Sequence, residues 1–313
     1  MASYERFYDP KILARVGRLE LRAKMIVEGI IAGMHKSPYQ GQSVEFVDHR
    51  AYVPGDDPRH IDWKVLGRSD RLVLKRFEEE TNLRGHVLLD SSESMRYSST
   101  ANERRGGAFT KYDYGGTLAA SIAYLLQRQH DGVGLTLFDS EVRAKIPPST
   151  HPATLIRLGE LMDETAPEGK TGVGTVLRGI AESIPRRGLV VIISDLFGPP
   201  SEIRAGLEAF ALRRHDVLVF HIFDEAELAF PFEGNTLFHG LEGYPEIVAE
   251  PRSLRDAYLE ALTSYLDEVE RVCATLGVNY LRTHTGEPLD SAIISVISSR
   301  ARTGTRGRGG RRS

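Results

Sequence analysis

Apolar residues recur at alternating spacings of four and three through Ile12, Val16, Leu19, Ala23, Ile26 and Ile30, behind a capping Asp9 and a first-turn Pro10. This pattern predicts an amphipathic helix closed at Gly33. Arg15, Arg18, Arg22, Lys24 and Glu28 fall mainly on its other faces, so the helix is expected to pack on its own domain. From Ser43 to Glu80 the period shortens to that of extended chain, in SVEFVDHRAYV and RLVLKRFEEE, around the turn-rich PGDDPRHIDW. Residues 1–83 therefore read as an N-terminal helix followed by a β-rich extension.

Beyond Asn82 strand-like runs alternate with helical ones. The strands are His86–Asp90, Val133–Phe138, Leu189–Asp195 and Val217–Phe223; the helices are Tyr114–Gln129, Ala153–Met162, Thr175–Ile184 and Ser201–Arg213. Such alternation implies right-handed crossovers and an α/β fold, a mostly parallel sheet with helices on both faces. Phe230–Pro251 reads as a hairpin excursion, followed by a long helix over Ser253–Leu276, a strand over Val278–Thr283 and a last helix over Leu289–Ser299. The main domain is expected over 84–299.

Composition narrows the class. Of 313 residues, 41% are hydrophobic and 27% charged, which suits a folded globular chain. The lone Cys273 excludes an internal disulfide framework and any multi-cysteine metal site, and it reads as an inert core thiol. The net charge of −3 conceals a basic end: six arginines lie in residues 300–313, so the rest of the chain carries −9. The acidic body is not expected to bind nucleic acid, and the Arg/Gly-rich end reads as a disordered, solvated tail. Apolar runs such as Leu189–Ile193 fall far short of the roughly 18 residues needed to cross a bilayer, and MASYERFYDP carries no apolar leader. No integral membrane segment and a cytoplasmic location are expected.

The chemistry concentrates after the first sheet strand, where HVLLD runs into SSESM. Asp90, Ser92 and Ser94 form a D-x-S-x-S pattern at the carboxyl end of a strand, where loops of a parallel sheet converge. Asp195 ends the strand LVVIISD, and Thr171 lies in the Gly-rich GKTGVGT. Hydroxyls and carboxylates together suit a hard cation, Mg²⁺ or Mn²⁺, with a coordination position left open for an incoming carboxylate. Taken alone, D-x-S-x-S equally describes serines capping a helix beside a strand-end turn.

These residues resemble the metal-ion-dependent adhesion site of von Willebrand factor type A domains. The segment FVDHRAYVPGDDPRHIDWKVLGRSDRLVLKRFEEE, Phe46–Glu80, resembles the signature of the bacterial domain-of-unknown-function family 58. The two resemblances together cover about Ser37 to Arg300. They imply a von Willebrand type A-like domain acting as an adaptor or co-chaperone of a MoxR-type AAA+ ATPase. They also imply direct Mg²⁺ ligation by Ser92, Ser94 and Thr171, with Asp90 and Asp195 acting mainly through bound water. Thr175 competes for the threonine role; Thr171 is preferred because Val173 and Leu177 then keep the family's helix spacing. Many relatives carry membrane helices ahead of this domain, a pattern not seen here.

Two further segments offer partner contacts. Arg59 and Trp63 stand in the charged PGDDPRHIDW, where Trp63 serves either as a binding hot spot or as a small core between extension and sheet. Arg104 and Arg105 lie in the polar loop Arg96–Lys111, beyond the metal motif, and are the useful charges of a lip that closes over a bound carboxylate. Catalysis finds little support: there is no G-x-S-x-G elbow, P-loop or H-E-x-x-H, and His86, His215 and His221 read as ordinary half-buried residues near strands. The expectation is a Mg²⁺-dependent interaction module, not an enzyme, whose partner is a MoxR-type ATPase or its client. The alternatives are a metal-independent scaffold and, further off, a Mg²⁺-dependent hydrolase with Glu93 as its base.

Overall fold

The computed structural model describes residues 44–51, 62–69, 71–79, 83–99, 109–289 and 291–292. The helix expected over Asp9–Gly33, the residues Arg59, Arg104 and Arg105, most of the last expected helix and the arginine tail lie outside them. The chain divides into two compact units, one within residues 31–82 and one holding everything described from Leu83 onward.

In the smaller unit β1 (Val44–Ala51) and β2 (Val73–Glu79) pair antiparallel, Val44 opposite Glu79 and Ala51 opposite Val73, with an irregularity between Phe46 and Asp48. Between them lies a helix, α1 (Trp63–Ser69), where the sequence pattern predicts only turns. Asp62 nucleates it: its carboxylate accepts from the Val65 amide at 3.3 Å and its carbonyl from the Leu66 amide at 3.1 Å. Trp63 stands at the first helical position and is exposed within this unit.

The larger unit is built on a six-stranded sheet with order β10-β7-β6-β3-β4-β5. Its strands are β3 (Arg84–Asp90), β4 (Gly132–Phe138), β5 (Val142–Ser149), β6 (Leu189–Ser194), β7 (Asp216–Phe223) and β10 (Asn279–His284). All neighbours pair parallel except β4 and β5, which are antiparallel. The sheet is therefore mostly parallel, as the alternation predicts, with an added edge strand that the sequence pattern does not reveal: β5 carries Pro147-Pro148 and a largely exposed face. The excursion before the long helix is a short hairpin, β8 (Thr236–Phe238) against β9 (Ile247–Ala249).

Helices cover both faces. Leu88, Val190, Ile192, Val217 and Val219 point to one side and pack with α4 (Val173–Ser183), α5 (Pro200–Leu212) and α7 (Pro251–Leu276) in one core, where Cys273 is fully buried and its thiol is pushed up to about 12 by burial. The alternate residues face the other helix layer, α2 (Lys111–Arg128), with α3 (Ala153–Glu164) beside it. At Gly115 a Cβ would stand 3.0–3.2 Å from Leu89, Ile193 and Ile222, so glycine here lets α2 lie directly on the sheet. Thr110 and Asp113 start α2 with a reciprocal capping box, which fixes Lys111 at its first position. A short α6 (Glu225–Ala229), capped by Asp224 and Glu227, follows β7.

The strand order puts a topological switch between β3 and β6: the chain runs from β3 outward to β4 and from β6 outward to β7. Crossovers leave the sheet on opposite sides there, opening a crevice at the carboxyl ends of two neighbouring strands. Leu89 pairs with Ile193, so Asp90 and Asp195 emerge side by side into that crevice.

Candidate metal centre

Asp90 is fully buried and both carboxylate oxygens are used: Oδ1 accepts from the Ser92 amide at 2.9 Å and Oδ2 from the Ser194 hydroxyl at 2.5 Å. The chain then turns through a 3₁₀ segment, Glu93–Arg96, which sets the Ser92 and Ser94 hydroxyls 3.0 Å apart. Thr171 arrives from the loop before α4, its hydroxyl 3.5 Å from Ser94 Oγ, while Thr175 is exposed on the helix itself. Two backbone bonds clasp the loops: Glu93 N–H donates to the Gly169 carbonyl at 3.0 Å and Glu168 N–H to the Ser91 carbonyl at 2.9 Å. The fold thus brings together Asp90, Ser92, Ser94, Thr171 and Asp195 from three loops.

Several neighbours carry no local sequence signal. Lys111 Nζ is buried 2.7 Å from Asp195 Oδ2 and 2.9 Å from Glu227 Oε1. Glu242, from the turn of the β8–β9 hairpin, accepts from the Thr171 hydroxyl at 2.6 Å and from the Thr171 amide at 3.1 Å. Its own amide donates to Glu93 Oε2 at 2.7 Å. His221 is fully buried rather than half-buried: one ring nitrogen lies 2.7 Å from the Asp195 carbonyl and the other 2.7 Å from Tyr280 Oη. Burial lowers its pKa to about 3, so it is a neutral brace under the Asp195 backbone. His86 and His215 are likewise buried on the sheet, away from the site, and burial lowers both.

The two aspartates differ electrostatically. Burial, and then the charge of Asp195, raise Asp90 to about 7. For Asp195 burial pushes the same way, but the Lys111 ammonium overrides it and holds the carboxyl below its usual value. Glu227, partly buried, is raised by desolvation despite sharing that lysine. One ammonium therefore serves two carboxylates and leaves Asp90 without a cation.

The oxygen-only donor set of three hydroxyls and two buried carboxylates fits a hard divalent ion, and the unmatched Asp90 gives that ion an electrostatic reason to bind. Among the described residues no group of three or more His, Cys, Asp or Glu side chains is arranged to hold a metal, so an ion at this place would depend on the hydroxyls. Ser92, Ser94 and Thr171 would hold it directly. Alongside lies a cavity of about 670 Å³ whose wall includes Lys170, Thr171, Asp195, Phe197, Glu242 and Tyr244.

The site is thus a convergence of hydroxyls and carboxylates at the strand ends of an open, mostly parallel α/β sheet. The chain belongs to the family described as protein of unknown function DUF58, whose model matches residues 48–265. An uncharacterized protein of Mycobacterium tuberculosis is 28% identical over 300 residues, 94% of this chain and 91% of that protein, and one of Mycobacterium bovis matches equally. An uncharacterized protein of Mycobacterium avium is 30% identical over 145 residues, 46% of this chain and 85% of its own. Among solved structures, the conserved hypothetical protein BatB from Bacteroides thetaiotaomicron is similar at TM-score 0.45 and 17% identity, over 70% of this chain and 99% of that one. An aerotolerance-related membrane protein from Bacteroides fragilis gives the same score and identity over 69% and 99%. No helix among the described residues is long and apolar enough to cross a membrane.

Proposed function

We propose that the chain is a Mg²⁺-dependent protein-interaction module of the von Willebrand type A kind, whose bound ion captures a carboxylate of a protein partner. The observation that carries this reading is the convergence of the Ser92, Ser94 and Thr171 hydroxyls beside Asp90 and Asp195 at the switch point of the sheet. When bound, the ion supplies a positive centre for an anionic ligand. Asp90 and Asp195 offset part of its charge, the three hydroxyls orient it, and His221 and Ser194 hold the two carboxylate-bearing strand ends still. The resemblance of Phe46–Glu80 to its family signature makes a MoxR-type AAA+ ATPase or its client the partner proposed, in a cytoplasmic setting. A binding role rather than catalysis is favoured because Glu93, the base a hydrolase needs, spends a carboxylate oxygen on the Glu242 amide.

A second reading rests on Lys111. Its ammonium already sits on Asp195, so the site has a cation of its own and serves as a metal-independent scaffold. Calorimetric titration of Mg²⁺ and Mn²⁺ into chelator-stripped protein separates the two. Wild-type binding weakened by Asp90→Ala and by Thr171→Ala is the expected result; no heat from either ion rejects the metal and leaves the scaffold.

A further inference from the structure

The hairpin tip at the site has an unusual construction. Glu242 and Gly243 both take positive φ, 57° and 78°, and the Tyr244 amide closes onto the Leu241 carbonyl at 3.1 Å. Two successive left-handed residues make a tight turn of the type that asparagine or aspartate with glycine forms readily. Glutamate is a poor choice for such a backbone, and backbone held in a disfavoured region must be fixed by its surroundings. Those surroundings are the candidate site. Both Glu242 carboxylate oxygens are bound by Thr171, one by the hydroxyl and one by the amide, and Glu93 holds the Glu242 amide. Glu242 is 5% exposed, while Leu237, Tyr244, Ile247 and Val248 of the same hairpin are all exposed. The hairpin is thus a solvent-facing element that buries one carboxylate, and Phe197 meets Tyr244 edge-on beside it at 5.9 Å.

Charge explains what that carboxylate does. Asp90, Glu93, Asp195, Glu227 and Glu242 lie on the converging loops; Lys111 pairs with Asp195 and Glu227, and Lys170 stands on the same cavity wall. A second carboxylate brought to Thr171 while Glu242 is bound there meets a like charge at close range, so it gains by displacing Glu242 rather than by adding to it. Glu242 is carried on a two-stranded hairpin separate from the central sheet, so its displacement breaks no pairing of that sheet.

We propose that Glu242 is the resident occupant of the ligand position, and that the hairpin Thr236–Ala249 stands in for the partner until the partner displaces it. The partner chemistry follows from the stand-in: a glutamate or aspartate presented on a tight turn, with an aromatic side chain two positions on to replace Tyr244 against Phe197. Self-occupancy rests on the Thr171–Glu242 bonds, and its extension to a partner rests on the interaction-module reading.

The test is the binding, by fluorescence polarisation, of a labelled peptide with the sequence of Thr236–Ala249 to the full chain, wild type against Glu242→Ala, in excess Mg²⁺ and in chelator. A tethered ligand competes at an effective concentration in the millimolar range, so emptying the position is expected to tighten peptide binding roughly tenfold or more. The same peptide with glutamine in place of the Glu242 equivalent is expected not to bind. Binding that survives chelation upholds self-occupancy and removes the ion from the proposed function; binding that needs Mg²⁺ upholds both. Equal affinity for wild type and Glu242→Ala, equal affinity for the glutamine peptide, or no binding to Glu242→Ala in either buffer overturns the proposal, while the calorimetric titration judges the metal separately. Should Glu242→Ala fail to fold, Glu242→Gln carries the comparison, read also as roughly tenfold faster hydrogen exchange at the Thr171 amide, since the lost bond is charge-assisted.

Discussion

Lys111→Met tests the electrostatics of the site most directly. The ammonium is 2% exposed, and it lies 2.7 Å from Asp195 and 2.9 Å from Glu227. At such a separation and an effective dielectric of about 20, one ion pair is worth roughly 6 kcal/mol of Coulomb energy, against several kcal/mol of desolvation for each charge. Methionine fills the space but leaves the buried Asp195 and the partly buried Glu227 without that cation, and breaking a buried pair in this way costs about 3–5 kcal/mol. The loss must depend on pH. Lys111 holds the Asp195 carboxyl low in the folded protein, so its contribution is present above the unfolded carboxyl pKa and is lost as pH falls through the folded one. In the variant the carboxyls are raised instead, and each rise in pH above about 4 penalises the folded state further. Urea unfolding followed by circular dichroism is therefore expected to show a small gap between variant and wild type near pH 4 and the full gap near pH 8. Adding Asp195→Asn and Glu227→Gln to Lys111→Met is expected to recover most of the loss, because a neutral triad has no charge to strand. A gap below about 1 kcal/mol at pH 8, or one that does not change with pH, would refute the assignment of Lys111 as the sole cation serving both carboxylates.

Two further outcomes concern stability alone. Asp90 is raised to about 7 by burial and by Asp195, so in metal-free protein its ionisation disfavours the folded state as pH climbs from about 4 to 7; Asp90→Asn is expected to flatten that slope and to gain about 1–3 kcal/mol at pH 8, with parallel slopes counting against it. At Gly134 a Cβ would meet the Ile146 carbonyl oxygen at 2.5 Å and the Pro148 nitrogen at 2.6 Å, both backbone atoms, so Gly134→Ala is expected to cost about 2–4 kcal/mol, and a thermal melt unchanged from wild type would contradict the close β4–β5 approach.

The frame of the larger unit is legible in the sequence because its signals are local. The wholly buried run Leu189–Ile193 reads as a central strand, and Gly277 marks the end of the long helix. Asp90, Ser92, Ser94, Thr171 and Asp195 are legible for a related reason: strand ends of a parallel sheet are predictable places, and oxygen-bearing side chains there have one crevice to share. Lys111, Glu227 and Glu242 are not, since their partners lie 84, 116 and 71 positions away and no periodicity encodes such pairings. The boxes Thr110–Asp113 and Asp224–Glu227 are visible as text and would have fixed both helix starts, though not what Lys111 faces. Strand β5 escapes because prolines and charges mask its alternation, and α1 because its capping Asp62 stands in a segment rich in turn residues.

The two edges of the sheet differ in what they offer a neighbouring molecule. An exposed strand recruits another strand through its free amides, which is how folded domains begin to stack into fibres. Along β5 two successive positions, Pro147 and Pro148, have no amide to give, and Arg143 and Lys145 add positive charge to the same strand. That stretch of the edge is thereby a poor template for an incoming strand, so the sheet resists polymerising through it.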